Sequence, residues 1–224
     1  MRAMILAAGR GERMRPLTDR TPKPLLAVGG RPLIEHWLAR LRAAGYREVV
    51  INLHHLGEQI AARLGDGARF GLRIAYSREA VLLDTAGGIR HALPLLGPDP
   101  FLVVNGDVWC DHPLRAPDLT GDRAAHLVLV DNPPHHPAGD FACRDGRLCE
   151  PPPADAPRLT FSGIGWYRPA LFAPLADGVP RPLAPLLRAA ARDGRVGCEH
   201  YRGAWHDVGT PQRLAALDAA LTQD

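Results

Sequence analysis

Between Ala3 and Val130, short apolar runs alternate with stretches of helical spacing, and this constrains the fold more than any other feature of the chain. "AMILA" (Ala3 to Ala7) is an apolar run that stops at glycines, as a buried parallel strand does. After a long loop, "RPLIEHWLARLRAAG" reads as a helix. Pro32 suits its first turn, Leu33, Trp37, Leu38 and Leu41 recur at helical spacing, and Gly45 suits the position just past its end. "EVVINL" is a second strand, "GEQIAARL" a short helix and "LRIAYS" a third strand. "TAGGIRHALPLL" reads as a helix capped by Thr85. "FLVVNGD" and "HLVLVD" are further strands. Strands and helices in alternation give an α/β fold, a Rossmann-like and mostly parallel mixed sheet with helices on both faces.

After Asn132 the pattern changes. "NPPHHP" and "EPPPADAP" are proline-rich loops flanking a hairpin through Phe141 to Leu148. "LTFSGIGWY" reads as a strand and "PLAPLLRAAARDG" as a helix. "VGCEHYRG" and "AWHDVG" read as extended, and "TPQRLAALDAAL" as a closing helix with Thr210 as cap and Pro211 first. No linker separates the parts. The expectation is one domain over 1–224, in two halves at 1–131 and 132–224.

Composition narrows the function. At 46% hydrophobic over 224 residues, a substantial core is expected. The net charge of +3 is spread along the chain without a basic run, which argues against nucleic acid as a partner. No apolar stretch is long enough to cross a membrane. The first apolar run ends in a glycine loop rather than a cleavage site, so a cytoplasmic protein is expected. Cys110, Cys143, Cys149 and Cys198 show no CxxC spacing and read as free thiols. Oligomeric state stays open, and a monomer is compatible with the sequence.

The loop after the first strand, "LAAGRGERMRPLTDRTPKPLL", carries the chemistry. Lys23 is the only lysine of the chain; every other one of its 27 Lys and Arg residues is arginine. Lysine is a compact point charge and arginine a planar fork, so a narrow phosphate site can require the first. Gly9 and Gly11 let backbone N–H groups approach an anion. No Gly-Lys-Ser/Thr follows, so this is not a Walker A loop. The third glycine of a dinucleotide fingerprint would fall at Met14, and no acid ends the second strand. What remains is a glycine turn with Arg10, Arg13, Arg15 and Lys23, a polyphosphate site. His54, His55, His135 and His136 lie in loops without companion acids at ligand spacing, which argues against zinc.

This stretch resembles the signature of the sugar-phosphate nucleotidyltransferases, L-x-x-G-x-G-x-R-[ML]-x-P-L-T…K-P. The resemblance continues through "DTAGGI", "VVNGDV", "FSGI" and "WHDVGT". It implies attack by a sugar-1-phosphate oxygen on the α-phosphate of UTP, with N-acetylmuramate-1-phosphate the expected acceptor, and no appended β-helix. By the family pattern, Ala8, Gly9, Gly11, Glu12 and Arg13 would cradle the nucleotide, Arg15 would hold its outer phosphates, and Lys23 would lie at the α-phosphate. Asp107 and Asp207 match the two aspartates that hold Mg²⁺. Sequence alone cannot pair them across a hundred residues. Ala86, Gly87 and Gly88 would approach the nucleoside, although Asp84 and Ala86 depart from the usual Glu-Thr-Gly-Gly-Gly. Asn105, Asp140, Glu150 and Gly163 would meet the sugar or its phosphate, so that 1–131 would be the nucleotide-binding half and 132–224 the sugar-binding half with the closing helix. Many relatives read Glu-Lys-Pro where Glu150 is followed by Pro151, and Arg202 is the expected substitute for the lysine.

Two other readings stand beside this one. The acceptor could be mannose-1-phosphate or glucose-1-phosphate with GTP or dTTP. The chain could instead be a non-catalytic sugar-nucleotide-binding regulator, although such a protein would not need both Asp107 and Asp207.

Overall fold

The computed structural model describes residues 1–222. The first half runs β1 (Ala3–Leu6), β2 (Ala27–Val28), β3 (Arg31–Pro32), α1 (Leu33–Ala43), β4 (Glu48–Leu53), α2 (Gly57–Leu64), β5 (Arg73–Arg78), α3 (Asp84–Leu96), β6 (Phe101–Asn105), β7 (Val108–Cys110) and β8 (Ala125–Val130). The second runs β9 (Phe141–Arg144), β10 (Arg147–Cys149), β11 (Arg158–Tyr167), α4 (Leu183–Arg192), β12 (Val196–His200), β13 (Trp205–Asp207) and α5 (Pro211–Thr222).

Nine strands form one sheet in the order β5-β4-β1-β6-β11-β8-β12-β10-β9. β5, β4, β1 and β6 are parallel, β11 is antiparallel to both β6 and β8, and β12 returns parallel to β8. From β1 the chain steps outward through β4 and β5, then crosses to the other side of β1 for β6. The loops leaving β1 and β6 therefore diverge at a topological switch point, where open α/β sheets bind ligands.

The alternation of side chains along β1 assigns the layers. Ala3 and Ile5 face Trp37, Leu38 and Leu41 of α1 and Ile60 and Leu64 of α2. Met4 faces Ala86, Ile89 and Ala92 of α3 and Leu183 and Leu187 of α4. Truncating Leu38 or Leu41, both fully buried, would cost about 2–5 kcal/mol. A third cluster joins Met14 and Val28 to Val208 and Leu217, which ties α5 to the loop after β1.

Several local expectations change. Pro32 precedes α1 as its cap and pairs with Ala27, whereas Gly45, at φ +94°, follows the helix end as expected. Thr85 lies inside α3 and does not cap it. Asp84 already belongs to the helix with φ +59°, and its Oδ1 accepts from the Thr85 N–H at 2.6 Å. Thr210 does cap α5, its Oγ1 accepting from the Arg213 N–H at 3.3 Å. The cysteine expectation is corrected: Cys143 of β9 and Cys198 of β12 form a disulfide, because the sheet order carries two segments 55 residues apart together. Cys110 and Cys149 remain free thiols. No described helix is long and apolar enough to cross a membrane.

Candidate active site

Leu6 of β1 and Asn105 of β6 lie side by side at the carboxyl edge of the sheet. Gly106 follows so closely that a Cβ there would fall 2.6 Å from the Leu6 carbonyl oxygen. The chain after β1 is held by Asn52 at the end of β4, whose Oδ1 accepts from the Ala7 N–H at 2.7 Å. Gly11, at φ +63°, then turns the loop over Thr18 and Lys23; a side chain there would strike Thr18 Cγ2 at 2.8 Å. The Gly11 carbonyl accepts from Thr18 Oγ1 at 2.8 Å, which fixes the loop.

Below this loop opens a cleft of about 830 Å³. Ala8, Gly9, Gly11, Glu12, Arg13, Lys23, Asn105 and Asp107 all line it, so the glycine loop and the end of β6 contribute to one cleft. Lys23 is only 8% exposed and its Nζ donates to Asp107 Oδ2 at 2.6 Å.

Asp207 reaches the same place through a ladder absent from the sequence reading. β13 pairs antiparallel with β7, Asp207 stands opposite Val108, and the Val208 N–H donates to the Asp107 carbonyl at 2.8 Å. The Asp207 carboxylate is flanked by Arg213 Nη1 at 2.5 Å from Oδ1 and by His135 Nε2 at 3.4 Å from Oδ2. The Arg213 contact is an ion pair off the hydrogen-bond line, so Asp207 Oδ1 is buried without a hydrogen-bond partner among the described residues.

Other expected residues sit elsewhere. Arg15 is outside the cleft lining, exposed, and paired with Asp19 at 3.3 Å; Arg13 faces the cleft instead. Ala86, Gly87 and Gly88 are buried behind Asp84 and Thr85, which do line it. A Cβ on Gly87 would meet the Val179 carbonyl oxygen at 2.6 Å, and one on Gly88 the Glu79 Oε1 at 2.7 Å, so these glycines serve close packing. Gly163, at φ +82° within β11, lies against the Asn105 side chain. Asp140 spends one oxygen on the Phe161 N–H at 2.8 Å and the other on His136 at 3.1 Å. Glu150 pairs with Arg188 at 3.0 Å and Arg192 at 3.7 Å. Arg202 is exposed on the loop after β12.

Sequence reasoning missed Asn52, Glu79, Arg213 and His135. Glu79 is 6% exposed and lines the cleft; its Oε1 accepts from Asn52 Nδ2 at 2.7 Å and its Oε2 from the Leu83 N–H at 3.0 Å. Polar residues at the carboxyl ends of two apolar strands were the available signal. His135 and His136 do find acids, Asp207 and Asp140, but the first pairing is visible only in three dimensions. Burial pushes the Cys110 thiol up to about 11, so this free cysteine offers no thiolate.

The cleft therefore offers backbone donors, the cations Arg10, Arg13 and Lys23, and the Asp107 carboxylate with Asp207 on the neighbouring ladder, a set suited to phosphate transfer. Residues 2–141 match the family model described as nucleotidyl transferase. The chain is 53% identical over 225 residues to an N-acetylmuramate alpha-1-phosphate uridylyltransferase of Neisseria meningitidis serogroup B, covering 98% of this chain and 97% of that protein. It is 37% identical to one of the same name from Caulobacter vibrioides, covering 99% and 97%. It is 31% identical to a mannose-1-phosphate guanyltransferase of Aspergillus fumigatus, covering 95% of this chain and 62% of that protein. In fold it is similar to a Bacillus anthracis protein solved with sucrose and described as a glucose-1-phosphate thymidylyltransferase. That match has a TM-score of 0.82 at 22% identity, and covers 100% and 96% of the two chains. With a switch-point cleft lined mainly by the matched segment and relatives that span nearly its whole length, the chain belongs to the nucleotidyl transferase family.

Proposed function

We propose that the protein transfers UMP from UTP to N-acetylmuramate-1-phosphate, giving UDP-N-acetylmuramate and pyrophosphate. One observation carries the chemistry: Lys23, the sole lysine, is buried beneath the glycine loop with its ammonium 2.6 Å from Asp107. The choice of UTP and of this acceptor rests on the 53% identity to the Neisseria uridylyltransferase.

A phosphate oxygen of the acceptor attacks the α-phosphorus, the bond to the bridging oxygen breaks, and pyrophosphate leaves with the electron pair. Two anions must approach each other, so positioning and charge neutralisation are the main tasks. The backbone from Ala8 to Arg13 offers N–H groups to the triphosphate. Lys23 would neutralise charge at the α-phosphate, and Arg13 would hold the departing phosphates in the role expected of Arg15. Asn52, Glu79, Asp84 and Thr85 would face the nucleoside, and Asn105, with Gly163 packed against its side chain, would face the sugar.

The donor set at Asp107 and Asp207 fits magnesium. Both ligands would be carboxylate oxygens on hydrogen-bonded segments; Asp207 Oδ1 makes no hydrogen bond among the described residues, although Arg213 forms an ion pair with it, and Mg²⁺ would complete its shell with phosphates and water. When bound, the ion would neutralise phosphate charge. UTP as donor places the reaction in the cytoplasm. N-acetylmuramate is a cell-wall sugar, so the reaction would return it to the nucleotide-sugar pool, as in peptidoglycan recycling. The Cys143–Cys198 disulfide is not required by any of these steps.

Pyrophosphate release across four nucleoside triphosphates and the 1-phosphates of N-acetylmuramate, N-acetylglucosamine, glucose and mannose tests the reading. The expected optimum in kcat/KM is UTP with N-acetylmuramate-1-phosphate. A preference for GTP with mannose-1-phosphate would place the chain with its guanyltransferase relatives. No turnover with any pair would favour a binding regulator.

A further inference from the structure

Arg213 lies in the first turn of α5, with its side chain folded back over Gly209, a residue of the cleft wall. Its Nη1 meets Asp207 Oδ1 and His135 Nε2, each at 2.5 Å. A Cβ placed on Gly209 would collide with Arg213 Nη2 and would also lie 3.5 Å from Arg13 Nη2. The guanidinium of the glycine loop and that of the last helix therefore converge over one glycine. Bringing like charges together is unfavourable unless an anion joins them. Among the described residues, Asp207 is the only carboxylate paired with Arg213, and Arg213 Nε is buried without a hydrogen-bond partner. The N-terminus of the twelve-residue α5 adds positive potential at the same point.

We propose that Arg213 binds the phosphate of the acceptor sugar-1-phosphate, supplying the cation that Pro151 does not; this rests on the transfer reaction proposed above. Its neighbours indicate which phosphate. Asp207 and His135 belong to the second half of the chain, whereas Arg13 belongs to the glycine loop, so the space between the two arginines is where donor and acceptor phosphates meet. Arg188 and Arg192 are already paired with Glu150, and Arg202 is exposed and outside the cleft lining, so neither group is better placed. A guanidinium fork matches two oxygens of a phosphate monoester.

The test compares wild type with Arg213→Gln and Arg213→Lys, varying UTP and N-acetylmuramate-1-phosphate separately. Arg213→Gln is expected to raise KM for the sugar phosphate at least about tenfold, the usual scale of a lost charge-assisted bond. Arg213→Lys should fall between, and KM for UTP should change less than about twofold. A purely structural role would lower the melting temperature or shift both KM values together, and that result overturns the proposal, as does a KM for UTP that alone rises. If Arg213→Gln does not fold, the Lys variant carries the comparison. If wild type turns over no sugar phosphate, the transfer reading fails, and calorimetric binding of inorganic phosphate decides on Arg213. Weaker binding in the variants supports the assignment, and equal binding removes it.

Discussion

Replacing Lys23 separates a need for charge from a need for lysine. The side chain is 8% exposed, lies under Gly11, and points its ammonium at Asp107 Oδ2 at 2.6 Å. Arginine keeps the charge but adds a wide plane in a closed space, an overpacking that costs about 1–3 kcal/mol. It also offers two parallel donors where an in-line attack leaves room for one. Alanine removes the charge. Asp107 is 41% exposed, so water can solvate the carboxylate left behind, and the stability cost of losing the pair stays modest. A loss of about 3 kcal/mol of charge stabilisation corresponds to roughly a hundredfold in kcat. The expected order is therefore wild type far above Lys23→Arg, with Lys23→Ala lowest at about a hundredfold or more below wild type. Lys23→Ala should move the melting temperature by only a few degrees and Lys23→Arg by about 2–12 °C, since 1 kcal/mol shifts a protein of this size by about 2–4 °C. The assay is kcat under saturating UTP, magnesium and sugar phosphate, with thermal unfolding measured in parallel. If Lys23→Arg matches wild type, the lysine has no special role and the reasoning from its shape fails.

Asp107→Asn and Asp207→Asn should each abolish most turnover while leaving the fold intact, and EDTA should do so reversibly; full activity in EDTA would remove the metal assignment. Gly87→Ala places a methyl against the Val179 carbonyl oxygen, so its melting temperature should drop by several degrees in a thermal scan, and an unchanged value would mean that the 179–181 segment yields freely. Hydrogen bonds from His112, then from His126, hold the Glu199 carboxyl down at about 2 from an ordinary 4.5. A depressed carboxylate contributes stability that is present above 4.5 and lost as pH falls through about 2. Glu199→Gln should flatten the loss of melting temperature in that window by a small amount, because the side chain is 44% exposed and screened; an unchanged acid slope would contradict it.

The parallel core was legible because its strands are short, largely apolar runs that alternate with helical stretches, and α1 because its apolar spacing is regular. The ladder β7–β13 was not, since three-residue strands carry no periodicity and their pairing spans most of the second half. The disulfide is non-local for the same reason. That Arg13 and not Arg15 lines the cleft depends on which way a loop of three-residue turns presents its side chains, and spacing does not encode that. Arg213 stood three residues after the Thr210 cap, so its place in the first turn of α5 was readable; its reach over Gly209 to Asp207 was not.

The central claim is that the acceptor's phosphate oxygen attacks the α-phosphate of UTP within this cleft. Supplying N-acetylmuramate-1-phosphate with ¹⁸O in its non-bridging phosphate oxygens, together with UTP and magnesium, tests it in one mass-spectrometric measurement. The account predicts that all label remains in UDP-N-acetylmuramate and that the released pyrophosphate is unlabelled. Label in the pyrophosphate, or UTP consumed without a nucleotide sugar formed, would contradict it.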